Sequence, residues 1–358
     1  MTRAKRRLIF YALILVFIIA APATILYAAG YSFDWQKKQV IKTGAFYLDA
    51  LPEGGSIYID GEQRGTVPAF INRLTPGKYQ IEIKKDGYAN WKKNLEIQSQ
   101  LTSEARNILF VLKSPTISNV AEDVYSISDY FSTSQQKQTK EQASSTIARL
   151  ADIEAWTLQE NTIYYLQKSN LILYEADVYG LDKKQISFEP LPLSEKGYQI
   201  KSLASEIIVF EQGGKLYLLD KDTNAFKLLA DDVLSAEISP DGKKILYWNE
   251  HEVFVFWLKE ILVQPNRKAG DKELIDRYSN KIKQAIWLET TNEHIIYIVS
   301  GDNGQDQIKI TELDSRDARN TYDIYSGAVS EISFNAKDKL LYILDNQTKL
   351  YSVDLWGK

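Results

Sequence analysis

Cysteine is absent from all 358 residues. Disulfides, thiolate nucleophiles, Fe–S clusters and cysteine-based zinc sites are therefore excluded. Histidine is nearly absent as well, with two copies, which leaves little for imidazole metal sites or histidine acid–base chemistry. An excess of positive charge is also missing. The formal net charge is −4 and the pI about 5.5, so no global field recruits nucleic acid, and that partner class is set aside. Neither G-x-x-x-x-G-K-[ST] nor G-x-G-x-x-G occurs, so no nucleotide loop is read. No G-x-S-x-G elbow occurs either, and no strand–helix alternation of a hydrolase domain.

The chain does have length, apolar content and aromatics. Its 358 residues suffice for two or three domains of roughly 100–200 residues each. Hydrophobic residues make up 44% and charged residues 25%, a globular composition. Tyr occurs 22 times, an enrichment suited to the half-buried surfaces of pleated sheet.

From Leu8 to Tyr31 the chain runs without a charge, LIFYALILVFIIAAPATILYAAGY. As a helix this run spans the ~30 Å of a bilayer core, and Pro22 is tolerated within it. Arg3, Lys5, Arg6 and Arg7 precede it, which puts residues 1–7 in the cytoplasm by the positive-inside rule. Lys37, Lys38 and Lys42 weaken that bias without reversing it. Tyr27, Tyr31 and Trp35 have the character of an interfacial aromatic belt. Residues 8–31 thus read as a transmembrane signal anchor with the bulk of the chain outside the cytoplasm. A cleaved signal peptide is the alternative, with small residues at Ala21-Pro22-Ala23 or Ala28-Ala29-Gly30. The apolar run is longer than the ~7–15 residues usual in such peptides.

Beyond Lys42 the period changes to two. Ile57 and Ile59 alternate with Tyr58 and Asp60, and Tyr79, Ile81 and Ile83 alternate with polar residues, as in half-buried antiparallel strands. Asp60-Gly61, Pro76-Gly77 and Asp86-Gly87 punctuate the strands as turns, and Ile108–Leu112 reads as the closing strand. The landmarks Pro52-Glu53-Gly54-Gly55, Ile57-Tyr58-Ile59-Asp60-Gly61, Gly65-Thr66-Val67-Pro68, Pro76-Gly77 and Gly87-Tyr88 follow one another in order. In this they resemble the PEGA domain family. Two departures stand out: Gly55 replaces the alanine of the family name, and Val67 is inserted between Thr66 and Pro68. The resemblance implies a small extracytoplasmic β-sandwich over residues 44–113. Its motif residues shape turns and do no catalysis, and its role is contact with protein or glycan.

Residues 132–148 are polar and read as a long loop or weak surface helix. After them a motif recurs. Glu237-Ile238-Ser239-Pro240-Asp241-Gly242-Lys243-Lys244-Ile245-Leu246-Tyr247 is echoed from Glu331 to Tyr342, with Ala285–Tyr297 midway. Fainter copies lie at 154–174 and 201–220. A spacing close to 47 residues suits four-stranded propeller blades. The Ser239-Pro240-Asp241-Gly242-Lys243-Lys244 string, with its turn at Pro240, Asp241 and Gly242, is similar to repeats of TolB-like β-propellers. Residues 116–131 read as a further strand or partial blade. The chain is thus mainly β: an N-terminal transmembrane helix, a small sandwich, then a propeller-like domain over 115–358 with about five to seven blades. A pair of sandwiches is the alternative for the last part.

Candidate chemistry is sparse. His251 and His294 both sit in polar stretches beside acids and read as solvated turns. Asp220-Lys221-Asp222-Thr223-Asn224 has the spacing of a calcium loop, but Ala225 stands where glycine is required, so it reads as a hairpin turn; Asp302–Asp306 reads likewise. No catalytic, cofactor-binding or metal residue is assigned. The function expected is a membrane-anchored envelope protein that binds or scaffolds protein or glycan partners without catalysis. A propeller-based hydrolase or lyase acting on envelope glycan or peptide is the alternative.

Overall fold

The computed structural model describes residues 3–34 and 38–357. Trp35 and Lys37, read above as belt and flanking charge, lie outside the described residues. The chain divides into two compact units, residues 1–110 with 316–318, and residues 111–315 with 319–358.

The first unit opens with helix α1, Arg3–Ala28. Its apolar span is Lys5–Ala28, long and apolar enough to cross a membrane, with a mean hydropathy of 2.6. The side chains stand free of the fold: Phe17 is 71% exposed and Leu8 72%. The helix stops three residues before Tyr31, where the sequence reading ended it. Gly30 turns the chain with φ +81°, and Tyr31 instead pairs with Lys42 in a hairpin of Tyr31–Asp34 and Gln39–Lys42.

Two sheets follow. One orders the strands Glu62–Thr66, Ser56–Ile59, Gly77–Lys84 and Trp91–Ile97, all antiparallel. The other places Gly44–Leu51 between Ala69–Leu74 and Thr102–Leu109. Alternation sends Ile57, Ile59, Ile81 and Ile83 inward, each no more than 3% exposed, against Phe46, Leu48 and Trp91. The closing strand differs from expectation. It spans Thr102–Leu109 rather than Ile108–Leu112, and it pairs parallel to Gly44–Leu51, with Leu48 opposite Ala105. At its end the Phe110 N–H donates to Leu51 O at 2.9 Å.

The second unit contains five four-stranded sheets, the blades of a propeller-like fold. Their first strands are Ile153–Gln159, Gln199–Leu203, Ser235–Ile238, Ile282–Trp287 and Glu331–Asn335. Shared apolar clusters join successive blades. Leu173 and Tyr217 belong to the one between blades one and two, Phe210 and Ile245 to the next, and Trp248 and Tyr297 to that between three and four. Gln284 links blades four and five: its amide N–H donates to Ile332 O at 3.0 Å and its oxygen accepts the Ile332 N–H at 2.8 Å.

Residues 116–131 supply a further strand, the first of the two readings, and not a partial blade of their own. Thr116–Ala121 is the outer strand of blade five, antiparallel to Leu350–Asp354 with Thr116 opposite Asp354. Helix α2, Ile127–Phe131, then covers Tyr342 and Leu344 of blade five. Helix α3, Ser134–Leu150, covers Ile163, Tyr165 and Ala176 of blade one through Ala143 and Ile147. The segment read as loop or weak helix is therefore a well-capped helix. Thr133 Oγ1 accepts from Gln136 N at 3.2 Å, and Gln136 Oε1 accepts from Thr133 N at 2.9 Å.

Candidate functional site

The motif residues of the first unit lie in turns that converge on two places. Asp60 and Gly61 form a two-residue hairpin turn, φ +50° and +85°, as a primed turn requires. The Asp60 carboxylate accepts the Gln80 N–H at 2.9 Å and ties that turn to the neighbouring strand. Gly65, φ +142°, sits opposite Ile57 at the register shift before Tyr58 pairs with Gln63, where only glycine is at ease. Pro76 and Gly77 lead into Gly77–Lys84.

The second convergence is around Phe110. Pro52, Glu53, Gly54 and Gly55 form one turn, and Gly87 (φ +84°) and Tyr88 another. The Lys85 ammonium donates to Glu53 O at 2.5 Å and lies 5.0 Å from the Tyr88 ring centroid. The Tyr88 and Phe110 rings are 5.8 Å apart. Gly55 is buried beneath them, and Val67, just before Pro68, is 3% exposed in the core. These groups are packing and turn chemistry; nothing among them is poised as nucleophile or base.

In the second unit Pro240, Asp241 and Gly242 form the tip of the first hairpin of blade three. The Ser239 hydroxyl donates to the Asp241 carboxylate at 2.6 Å and accepts the Lys244 N–H at 2.9 Å. Gly242 has φ +64°, and a Cβ there would meet Ala204 Cβ at 2.8 Å. Beside the tip, Lys244 is fully buried and donates to Glu293 Oε1 of blade four at 2.7 Å, with the Trp287 ring 6.0 Å away. Burial raises the Glu293 carboxyl above the usual carboxylate range, against the pull of Lys244.

His294 corrects the reading of a solvated turn. It opens the strand His294–Val299, is 2% exposed, and its Nδ1 lies 3.0 Å from Thr291 Oγ1. The polar neighbours Asn292 and Glu293 disguise the start of a buried strand. His251 does sit in an exposed turn, its Nδ1 3.4 Å from Asn280 O. Asp220 caps its turn by accepting the N–H groups of Asp222 and Thr223 at 2.9 and 3.1 Å, and it pairs with Lys227.

Sequence reasoning missed a half-buried polar triad between blades three and four, in which Tyr297 alone is fully buried. The Asp276 carboxylate accepts from both Tyr278 and Tyr297 hydroxyls at 2.7 Å. Burial, chiefly, raises both phenols, so they remain neutral donors. No single motif signals it, because Asp276 and Tyr278 sit together at the end of Lys272–Arg277 while Tyr297 comes from His294–Val299 of the next blade. Among the described residues no group of three or more His, Asp or Glu side chains gathers as a metal site would.

The PEGA domain family model matches residues 43–107, so the sandwich of the first unit is a PEGA domain. No curated protein matches the chain. Among solved structures, the β-propeller domain of Cps50 (Swd1) from Myceliophteria thermophila is 11% identical, with a TM-score of 0.39 over 55% of this chain and 67% of that one. The tricorn protease is 14% identical, with a TM-score of 0.40 over 80% of this chain and 26% of that one. At these scores the propeller assignment rests on the strand pairing itself.

Proposed function

We propose that this protein is a single-pass, membrane-anchored binding or scaffolding protein of a bacterial envelope. Its N-terminus lies in the cytoplasm, and its PEGA domain and propeller lie outside. One observation carries the reading: an apolar helix of 24 residues, Lys5–Ala28, whose side chains are exposed along nearly its whole length, with the Arg73 guanidinium over the Tyr27 ring as a contact near its C-terminal end. A bilayer is the solvent that accepts such a surface. The basic flank from Arg3 to Arg7 supports the cytoplasmic placement of the N-terminus. The binding reading is supported by sites that are turns, packed rings and satisfied ion pairs, and by a PEGA domain ahead of a blade array that offers broad loop surfaces.

The test is topology and retention. Full-length protein tagged at both ends should stay in the membrane pellet after alkaline carbonate. External protease should remove the C-terminal tag and spare the N-terminal one. Extraction by carbonate, or a protected C-terminal tag, would overturn the anchor. Incubated with isolated envelope polymer, the protein should be retained with the polymer length unchanged; release of soluble fragments would overturn the non-catalytic role.

A further inference from the structure

A groove of about 660 Å³ lies within the second unit, between the start of α3 and the first hairpin of blade one. Trp156 and Leu158 contribute the apolar part of its lining; Gln135, Gln136 and Thr139 line it from α3, and Glu160 and Asn161 from the hairpin turn. Trp156 is half-buried, packed against the cluster that α3 covers. Its volume is that of a small-ligand cleft rather than a packing defect.

The polar groups here divide into committed and available. Gln136 is held in the helix cap, and the Thr139 hydroxyl donates to Gln135 O at 2.9 Å. Lys140 is paired with Asp129 at 3.2 Å. The side-chain amides of Gln135 and Asn161 and the indole N–H of Trp156 make no hydrogen bond among the described residues, while α3 holds its wall through the buried Thr146 hydroxyl, 2.7 Å from Val178 O.

An aromatic face flanked by amides suits a particular chemistry. A sugar ring presents a face of C–H groups to an indole and a rim of hydroxyls that both donate and accept. A side-chain amide offers both roles in one group, and Trp supplies a rigid apolar plane with one polar handle. Lys140 faces Asp129, and Glu160 adds a carboxylate to the lining, so the groove gathers no net positive charge for an anionic polymer. With two apolar liners it has no row of pockets for peptide side chains.

We propose that this groove binds a neutral oligosaccharide segment, with Trp156 as the stacking platform and Gln135 and Asn161 as its hydrogen-bonding partners. The proposal deepens the binding role above and rests on it. The experiment uses the full chain in a detergent without a sugar headgroup, titrated calorimetrically with cellohexaose, chitohexaose and maltohexaose. At least one should bind saturably. Gln135→Ala and Asn161→Ala, both at exposed positions, should each weaken it several-fold, and Trp156→Ala by roughly tenfold or more. Because Trp156 also packs on the core, its variants are compared at equal thermal stability with Trp156→Phe. Absence of saturable binding by all three sugars overturns the proposal, as does binding unchanged in Gln135→Ala and Asn161→Ala. Saturable binding of an extended peptide library in place of the sugars overturns it too. Envelope retention and topology are measured separately, so loss of the groove assignment leaves the anchored binding role standing or falling on its own assays.

Discussion

Gly55 and Val67, the two positions where the chain departs from the PEGA pattern, are hydrogen-bonded to one another. The Val67 N–H donates to Gly55 O at 2.9 Å, and the adjacent Gly54 N–H donates to Val67 O at 3.2 Å. Val67 fills the core beside this bridge, 3% exposed. Gly55 leaves room for Phe110, whose Cζ lies 2.4 Å from where a Cβ would stand. The two departures belong to one packing solution.

Gly55→Ala should therefore destabilise the PEGA domain, although alanine is the residue of the family name. Phe110 is fully buried and Ile83 Cγ2 is 3.0 Å from the same point, so neither yields freely. Overpacking of this kind costs about 1–3 kcal/mol. Hydrogen exchange over residues 44–109 should show the loss, and Phe110→Leu added to Gly55→Ala should recover part of it. Unchanged protection in the single variant would refute the packing account.

Lys244→Met should be more harmful than its conservative volume suggests. It strands the Glu293 carboxylate, already raised by burial, without its cation. Glu293 keeps part of its side chain at the surface, 31% exposed, so the loss should fall toward the lower end of the 3–5 kcal/mol typical of a broken buried pair, at about 3 kcal/mol. Lys244→Met with Glu293→Gln should be milder than Lys244→Met alone. Urea unfolding of the three variants checks the order.

Gln284→Ala tests the joint between blades four and five. It removes both partners of the Ile332 amide group at once. Unsatisfied groups cost about 1–3 kcal/mol each when dry. Faster exchange of the Ile332 N–H, with blades one and two unaffected, is the expected signature. Gln284→Glu should rescue less than wild type, because a carboxylate cannot donate to Ile332 O.

Asp220 gives a pH signature. Its hydrogen bond to Lys227, foremost, lowers its carboxyl to about 2, against about 3.9 in an unfolded chain. A depressed folded value contributes stability that is present above the unfolded value and fades as pH falls toward the folded one. Wild-type stability should thus drop between about pH 4 and 2, and Asp220→Asn should flatten that limb. Equal slopes by denaturant titration would refute the assignment.

Much of the fold is legible in the residues. The Ser239–Tyr247 string, its echo from Glu331 and the alternation near Ala285 all fall on the first hairpins of blades, because burial of both faces imposes apolar runs there. Thr116–Ala121 gave no comparable signal: five of its six residues are exposed at the sheet edge, and its partner strand lies at the far end of the chain. The cap of α3 was readable in Thr133 and Gln136, but the polar run behind them masked its apolar stripe of Ala143 and Ile147. The groove was not readable at all, since Trp156 and Gln135 meet only through the docking of α3 on blade one.

The pairing of Thr116 with Asp354 also sets an order of events. Blade five cannot be completed until Leu350–Asp354 is available, however early its outer strand is made. The earlier blades can zip from local hairpins, whereas this final ladder must search across nearly the whole second unit. During synthesis the strand Thr116–Ala121 waits as an open edge, a template for wrong partners. Its sequence sets Ser118 and Asn119 between the exposed Ile117 and Val120, so polar residues only partly blunt that waiting edge.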